Sequence, residues 1–476
     1  MEEKQNSHRK LRTGRRQKSK LQLFKENQLP LIIVATAALL ILVFLIGSIS
    51  NGVKRSQIRK AEEKAAAEQA ALEKEALDEQ VQQLLLQADT AATQYDYDKA
   101  IGLLDAVKKH AEDYPMLQQK LDEYENAKSA LVAWEDPSSV VNLSFQMLIA
   151  SPAQAFGHEE YGASFNRNYV TTGEFSAILS QLYDNGYVLV TTGDLFGTET
   201  AEDGSLVCTA KTLYLPADKK PLVITQTNVN YNYYLVDSNE DMLPDQNACG
   251  FAHKLVIRDG KPVSEIVSET GETVQGGYDL IPILDSFVDA HPDFSYRGSK
   301  AVIALTGYDG LFGHRTAPKD QERLGDAYNA EVDAAISVAQ TLRDLGYELA
   351  CYTYRNIGYG DSSLANIQDD LDLWNTEVAP LIGTVDTLVY AQRSDITDNA
   401  TEYSDERYEL LKNQGFRYYL GFSNDGSSWA KITNDYVRQG RIMVAGATLK
   451  HHSDWFSGIL DPSTVLDSTR GEIAEW

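Results

Sequence analysis

The spacing of apolar residues changes several times along the chain, and the first apolar run is the longest. Residues 29–49, LPLIIVATAALLILVFLIGSI, contain no charged side chain. A helix rises about 1.5 Å per residue, so this run would extend about 30 Å, enough to cross the hydrocarbon core of a bilayer. A cleaved signal peptide has a shorter apolar core followed by a small-x-small cleavage site. The run therefore predicts a single transmembrane signal anchor, preceded by a separate segment at residues 1–28.

The next part of the chain has the composition of helices. Residues 54–101 contain no Gly or Pro and are rich in Ala, Glu, Lys, Gln and Leu, which are good helix formers. We predict a helical stalk over residues 52–80 and, over residues 81–134, a hairpin of two helices that resembles one tetratricopeptide-like unit. Because one such unit buries its apolar face poorly, it should pack on its neighbour as a spacer or bind a protein partner.

Past Trp134, short apolar runs alternate with amphipathic stretches. The predicted strands are VNLSFQMLI, YVLVT, AVIALTG (301–307), YELACYTY, TLVYA (387–391) and FRYYLGF. Helix stripes between them are predicted from Phe175, Ile178, Leu179 and Leu182, from Val332, Ala335, Ile336, Ala339 and Leu342, and around Tyr408 to Lys412. Asn185-Gly186 supplies a helix C-cap. Repeated strand–helix units of this kind predict a parallel sheet or barrel.

Charge separates the two ends of the chain. The formal net charge is −26, yet residues 1–60 hold thirteen Lys or Arg and three Glu, which leaves 30 basic and 66 acidic residues elsewhere. Eight basic residues between Arg9 and Lys25 precede the apolar run, so the N-terminus should stay cytoplasmic. We expect the basic segment to contact an anionic inner leaflet and everything after Asn51 to be extracellular. The acidic remainder excludes nucleic acid as an expected partner.

The order of the segments in residues 138–450 resembles the polysaccharide deacetylase family, the metal-dependent carbohydrate esterases with a NodB-homology domain. The resemblance is carried by these stretches, in family order: VNLSFQMLI, TTGEFSAILSQLYDNGYVLVTTGDL, LPADKKPLVITQTNVNYNYY, GFAHKLVI, HPDFSYRGSKAVIALTGYDGLFGHRT, LRDLGYELACYTY, LWNTEVAPLIGTVDTLVYA and DYVRQGR. It implies an irregular, seven-stranded-type (β/α) barrel. Residues 451–476 would then form a C-terminal tail.

The resemblance also implies a catalytic site, and this chain departs from it at matched positions. The family holds a divalent metal with one carboxylate and two histidines, and a second Asp acts as base. Where the family has two consecutive aspartates, this chain has Thr227 and Asn228. Tyr352 and Asn356 replace the two histidines, and Gln146 follows Phe145 where the first strand usually ends in Phe-His. The later Tyr-Pro-Tyr-Gly-like turn is Tyr390-Ala391-Gln392-Arg393.

These replacements remove the groups that the chemistry needs. A threonine hydroxyl does not ionise near neutral pH and cannot act as the base. Asn oxygens are neutral, and neither Tyr nor Asn supplies the imidazole that zinc or nickel prefers. Without a metal, neutral-pH hydrolysis of an N-acetyl amide is far too slow. We therefore predict no catalytic residue, no bound metal and no cofactor.

Other clusters give weaker indications of chemistry. DSNEDMLPD at 237–245 begins like a calcium loop, but Met242 stands where the turn needs Gly and Ala248 where the bidentate Glu belongs. The pair His451-His452 would point to opposite faces of a strand, and His314 should pack or cap locally. Three cysteines, Cys208, Cys249 and Cys351, allow one disulfide at most. No GxSxG, GxGxxG or P-loop motif occurs.

Three functional interpretations stay open at this level. The first is a membrane-anchored pseudoenzyme that binds cell-wall glycan or peptidoglycan through aromatic and polar groups. The second is an active N-deacetylase with a non-standard ligand set, and the third is a structural role in which the stalk and hairpin recruit a protein partner. The tyrosines near the former site could equally fill the space that a metal would leave. The candidate glycan-binding residues are Tyr231, Tyr233, Tyr234, Tyr354, Gln392 and Arg393.

Overall fold

The computed structural model describes residues 52–236, 249–268 and 270–476. The chain divides into two units, Met1–Gln83 and Leu84–Trp476. The predicted basic segment 1–28, the anchor at 29–49 and the calcium-like loop at 237–245 lie outside the described residues. Within the described ranges, no helix is both long and apolar enough to cross a membrane.

Strand pairing defines a closed barrel in the second unit. The strands are β1 (Val132–Trp134), β2 (Val141–Phe145), β3 (Tyr187–Val190), β4 (Phe196–Thr200), β5 (Leu206–Ala210), β6 (Leu213–Leu215), β7 (Lys220–Thr227), β8 (Lys254–Arg258), β9 (Lys261–Val267), β10 (Thr273–Gly276), β11 (Val302–Leu305), β12 (Glu348–Cys351), β13 (Thr387–Val389), β14 (Tyr418–Phe422), β15 (Ala430–Ile432) and β16 (Val437–Met443). Seven of them run parallel in the closed order β2, β7, β11, β12, β13, β14, β16. The predicted seven-stranded (β/α) barrel is confirmed at this level of description.

Helices follow the strands around the barrel. The α-helices are Gly52–Thr93, Tyr97–Asp105, Pro115–Ser129, Pro152–Phe156, Gly162–Asn168, Thr172–Asp184, Thr192–Leu195, Tyr233–Val236, Leu280–Ala290, Gln321–Leu324, Tyr328–Asp344, Leu364–Leu373, Ala379–Ile382, Glu406–Asn413 and Gly446–His451, and a π-helix spans Trp374–Val378. The helix at Thr172–Asp184 buries the predicted stripe and begins with a capping box between Thr171 and Glu174. Tyr328–Asp344 instead buries Ala335, Val338, Ala339 and Leu342. Ile336, predicted in that stripe, is 38% exposed because it lies to one side of the i, i+3, i+4, i+7 row that begins at Ala335.

Several antiparallel strand pairings, which the sequence did not predict, are present in addition to the parallel barrel. The strands β8, β9 and β10 form a three-stranded sheet, and β4 pairs with β5. Also, β15 pairs antiparallel with β16 beside the barrel, and β3 joins the first half of β7.

The helical region before the barrel differs from the predicted stalk and hairpin. One helix, Gly52–Thr93, runs through position 80 without a break. It ends where Tyr95 adopts a positive φ of 64° and Asp96 caps the next helix. The Tyr124 hydroxyl then donates to Asp89 at 2.7 Å, which ties Pro115–Ser129 to the end of the first helix. Three α-helices therefore cover residues 52–129, as many as the predicted stalk and two hairpin helices, but the first helix extends beyond the predicted end of the stalk.

The same region packs on the barrel domain. The Tyr95 hydroxyl donates to the carbonyl of Asp293 at 2.8 Å, and the Arg297 amide donates to the carbonyl of Gln94 at 2.8 Å. Docking of this kind buries an apolar face that a lone repeat unit would expose.

Residues 451–476, predicted as a C-terminal tail, make several contacts with the rest of the barrel domain. Arg470 forms a buried ion pair with Glu174, at 2.6 Å, on the helix Thr172–Asp184. The ring of His451 makes a 2.7 Å hydrogen bond with the carbonyl of Ile473. These contacts bring the last residue, Trp476, to the end of the barrel at which the strands terminate.

Candidate functional site

The C-terminal ends of the barrel strands surround a cavity of about 470 Å³. This is the end of a (β/α) barrel where functional groups ordinarily lie. The lining residues are Ser144, Phe145, Gln146, Ser164, Arg167, Asn168, Tyr169, Thr227, Asn228, Tyr234, Tyr352, Asn356, Gln392, Arg393, Phe422, Arg441, Met443 and Trp476. We call this space the mouth cavity.

Strand alternation explains why several of these side chains point inward. Successive residues of a strand face opposite sides, so residues two apart share the barrel interior. Inside β7, Thr225 donates to Asn142 at 2.9 Å, and the next inward residue is Thr227. On β16, Gln439 accepts from Asn142 at 3.0 Å, and the next inward residue is Arg441. A polar, hydrogen-bonded layer thus leads up to the mouth cavity.

The five positions at which the resemblance implies catalytic or metal-binding groups all lie around this cavity. They are Gln146, Thr227, Asn228, Tyr352 and Asn356. The Thr227 hydroxyl donates to the carbonyl of Phe145 at 3.3 Å, and burial raises the pKa of Tyr352 above its ordinary value. The amide oxygen of Asn356 is buried without a hydrogen-bond partner.

Several non-glycine residues at these strand ends have left-handed backbones. The φ values are 63° at Asn228, 56° at Asn356, 53° at Gln392 and 56° at Arg393. Such conformations cost free energy and persist where the surroundings hold them in place, which is common at ligand sites. All four of these residues line the mouth cavity.

Of the six candidate glycan-binding residues, three line the cavity. Tyr234 is 42% exposed there. Gln392 donates to the carbonyl of Asn356 at 3.3 Å, and Arg393 places its guanidinium carbon 3.5 Å from the centroid of the Trp476 ring.

The other three candidates are buried elsewhere, so their predicted contact with a ligand in this cavity is corrected. Tyr231 is 0% exposed and donates to Asp279 at 2.7 Å. Tyr233 donates to Asp320 at 2.9 Å, and the Tyr354 hydroxyl bonds to Glu377. These phenols satisfy buried carboxylates, which would be costly to leave unpaired.

Several further lining residues escaped the sequence analysis, among them Arg167, Asn168, Arg441 and Trp476. Arg441 could have been found from the alternation of Val437, Gln439 and Arg441 in the DYVRQGR stretch, which forms part of β16. Arg167 and Asn168 come from the short helix Gly162–Asn168, and Trp476 comes from the chain end; neither has a local signal. The Trp476 indole donates to Asn168 at 3.0 Å, which holds the ring at the edge of the cavity.

The lining groups do not fit the divalent metal that the resemblance implies. Gln146, Asn228 and Asn356 offer neutral amide oxygens, whereas a divalent ion needs carboxylates or imidazoles. Arg167, Arg393 and Arg441 place positive charge around the same space. Throughout the part of the chain that the structure describes, no three His, Cys, Asp or Glu side chains are grouped to hold a metal ion.

The remaining histidines and cysteines have structural surroundings. His314 lies 2.8 Å from Glu331 and 3.1 Å from the carbonyl of Leu255, so it packs locally as predicted. His452 stacks on Trp455, with ring centroids 4.4 Å apart. The three cysteines are buried and form no disulfide with one another.

Comparisons with known proteins give little further information. No protein-family model matches the chain, and no curated protein matches it. Among solved structures, the Streptococcus pyogenes deacetylase PplD in complex with acetate matches with a TM-score of 0.33 and 11% identity, over 64% of this chain and 92% of that chain. At that TM-score the match carries no argument, and the barrel topology stands on the strand pairings alone.

Proposed function

We propose that this protein is a membrane-anchored, extracytoplasmic protein with a polysaccharide deacetylase-like barrel that holds cell-wall glycan without hydrolysing it. One observation carries the proposal: hydroxyls, amides, aromatic rings and guanidiniums line the mouth cavity at the positions where the resemblance places a base and metal ligands. None of the described residues that line it is Asp, Glu, His, Lys or Cys. Those side chains are the usual general bases and nucleophiles near neutral pH.

The titratable groups present in the cavity are poor substitutes. Burial raises the pKa of Tyr352 above its ordinary value, so its phenol stays protonated at neutral pH and cannot take a proton from water. Arg441 stays positively charged, because burial lowers its pKa only to about 10. Both groups can bind a ligand but cannot activate a water molecule.

Size and chemistry favour a sugar. A cavity of about 470 Å³ falls within the ordinary range for small-ligand sites. Hydroxyls and amides can bond sugar hydroxyls and acetamides, and Tyr234 and Trp476 can stack on a sugar face. Each hydrogen bond contributes about 0.5–1.5 kcal/mol net. Two or three bonds with one stacked ring imply affinities between roughly millimolar and tens of micromolar.

The anchor supports the location. The uncharged run at 29–49 and the basic residues before it favour a single span with a cytoplasmic N-terminus. External protease should therefore digest the barrel domain in intact, wall-stripped cells. Survival of the domain under conditions that digest it in lysed cells would contradict this topology.

The binding test uses the full-length protein in detergent and ligand-observed NMR with N-acetylglucosamine oligomers and peptidoglycan fragments. We expect weak, saturable contacts with wild type and their loss in Tyr234→Ala. Tyr214→Ala is the matched control, because Tyr214 is 48% exposed on β6 and does not line the mouth cavity. An acetate-release assay and metal analysis of the same sample complete the experiment.

Two outcomes would reject the proposal, and each would favour a different alternative function. Acetate release together with about one equivalent of zinc, nickel or cobalt would establish the active-deacetylase alternative. Absence of any glycan contact would move the function to the helices Tyr97–Asp105 and Pro115–Ser129 as a protein-partner surface.

A further inference from the structure

The mouth cavity is cationic in a chain that is strongly anionic overall. Arg167, Arg393 and Arg441 reach it from a helix, from the turn after β13 and from β16. No carboxylate is among the described residues that line it, although the chain carries a net charge of −26.

Arg441 shows how this charge is held. It is 0% exposed, and its three guanidinium nitrogens donate to the Gly421 carbonyl at 3.2 Å, the Ser144 hydroxyl at 2.8 Å and the Tyr390 carbonyl at 2.9 Å. All three acceptors are neutral, so each guanidinium nitrogen has a hydrogen-bond partner, but none of these partners offsets the positive charge. A buried charge without a counter-ion costs free energy.

The other two arginines add to the imbalance. The Nε of Arg167 is buried and has no hydrogen-bond partner. Partial burial and then the like charge of Arg167 lower the pKa of Arg393 below its ordinary value. An unpaired donor and two mutually repelling cations therefore face one cavity.

Two other buried arginines of the same chain have carboxylate partners. Arg438 donates to Asp395 at 2.8 Å, and Arg470 donates to Glu174 at 2.6 Å. The lack of acid at the mouth cavity is therefore a local property of that site.

We propose that the mouth cavity binds an anionic group on its ligand, a carboxylate or a phosphate carried by a sugar, where the family resemblance places a metal cation. The guanidinium fork matches the paired oxygens of both groups. Fixed positive charge from the protein takes the place of a bound dication, so the preferred ligand is acidic. The inference rests on the proposed glycan-binding function and names the class of glycan.

The test compares sugars that differ by one charged group. N-acetylglucosamine is neutral, N-acetylmuramic acid adds a carboxylate, and N-acetylglucosamine 6-phosphate adds a phosphate; acetate and inorganic phosphate are the sugar-free probes. Calorimetry and ligand-observed NMR on full-length protein are run at low and high salt. We expect both acidic sugars to bind at least about tenfold tighter than the neutral one, with a difference that shrinks at high salt.

Variants tie the effect to the arginines. Arg393→Gln should fold, because Arg393 is exposed, and it should weaken acidic-sugar binding about tenfold more than it weakens neutral-sugar binding. Arg167→Gln should have a similar effect, and Arg393→Lys should lie between wild type and Arg393→Gln because it keeps the charge and loses the fork. Arg258→Gln is the control, since Arg258 is 55% exposed on β8 and does not line the cavity.

Each outcome decides between the two proposals. Equal binding of neutral and acidic sugars, or no effect of Arg393→Gln and Arg167→Gln, would overturn the anionic class and leave glycan binding intact. Binding of acetate or phosphate as tight as that of the acidic sugars would support the anion site and overturn the glycan proposal. Absence of binding by every probe would overturn both.

Discussion

Arg470 and Arg441 are both buried in the barrel domain, but the two regions around them treat positive charge differently. At the C-terminal seam, where the last residues pack on the helix Thr172–Asp184, Arg470 makes two hydrogen bonds of 2.6 Å with Glu174. At the mouth cavity, Arg441 bonds only a hydroxyl and two carbonyls. The positive charge at the seam is neutralised by a carboxylate, whereas the charge of Arg441 at the cavity is not.

This difference separates a structural arginine from a binding arginine. Hydrogen bonds to neutral groups orient a guanidinium but leave its charge free to interact with a ligand. A bidentate carboxylate orients the guanidinium and also neutralises its charge, so an anionic ligand gains little by binding there. Whether a buried arginine has a carboxylate partner is therefore a better guide to its function here than its burial alone.

The largest expected effect is on the seam. Arg470→Gln leaves the carboxylate of Glu174, which is 1% exposed, without its cation. Breaking a buried ion pair by removing one partner costs about 3–5 kcal/mol. We expect the free energy of unfolding in urea to fall by that amount, and the tryptophan fluorescence of Trp476 to change as the seam loosens.

The control for this prediction is Arg258→Gln, on an exposed strand, which should change the free energy of unfolding by less than about 0.5 kcal/mol. An equally small effect of Arg470→Gln would remove the distinction between the two regions.

The next largest expected effect concerns a buried carboxyl group at the end of the barrel where the parallel strands begin. Glu348 begins β12 and accepts hydrogen bonds from the Gly193 amide at 3.0 Å and the Thr387 hydroxyl at 2.9 Å. Burial raises its pKa to about 7. The unfolded chain loses this proton near its ordinary pKa and the folded chain keeps it up to about pH 7, so stability falls as pH rises through this window. Glu348→Gln should remove that fall, on the order of 1–3 kcal/mol between pH 4.5 and 7, in urea unfolding.

Glu331 is the matched control with the opposite sign. Burial alone would raise its pKa, but hydrogen bonds from His314 and Lys254 and their positive charge hold it at about 2. Its contribution is therefore present above the ordinary pKa of a glutamate and is lost as pH falls toward 2. Glu331→Gln should destabilise the protein at neutral pH, where Glu348→Gln stabilises it. The same sign for both variants would contradict the assignment of paired and unpaired carboxylates.

The smallest expected effect is at the mouth cavity without ligand. Arg393→Gln removes repulsion from Arg167 and a contact with the Trp476 ring, and it breaks no ion pair with a described residue. We expect a change in unfolding free energy within about 1 kcal/mol, of either sign, in urea at low salt and without phosphate. A loss above about 2 kcal/mol would indicate that Arg393 already has a strong partner in the free protein. The cavity would then resemble the seam.

Much of the barrel could be predicted from local pattern. The helix stripe from Phe175 to Leu182 is recognisable because burial against a sheet imposes a period of 3.6 on the sequence. The strand at residues 301–307 is recognisable because both of its faces are buried. The resemblance to a family singled out Thr227, Asn228, Tyr352 and Asn356, and the fold brings these four residues around one cavity.

The rest depended on contacts between distant residues. Tyr231 and Tyr234 lie three residues apart and have the same chemistry, yet one is 0% and the other 42% exposed. Only packing against Asp279, far along the chain, decides that Tyr231 belongs to the core. For the same reason, the sequence showed no sign of the contact between the C-terminal residues and the helix Thr172–Asp184, because its ion pair joins Glu174 to Arg470, which lie far apart along the chain.

The sequence by itself determined the alternation of strands and helices and the uncharged run at 29–49, because each is a property of consecutive residues. Tertiary structure alone decided that Arg167, Arg393 and Arg441 share one cavity while Arg438 and Arg470 have acidic partners. The physical reason is that Coulomb interactions depend on distance and burial in space. The position of a residue along the chain determines neither its distance from other charges nor its burial.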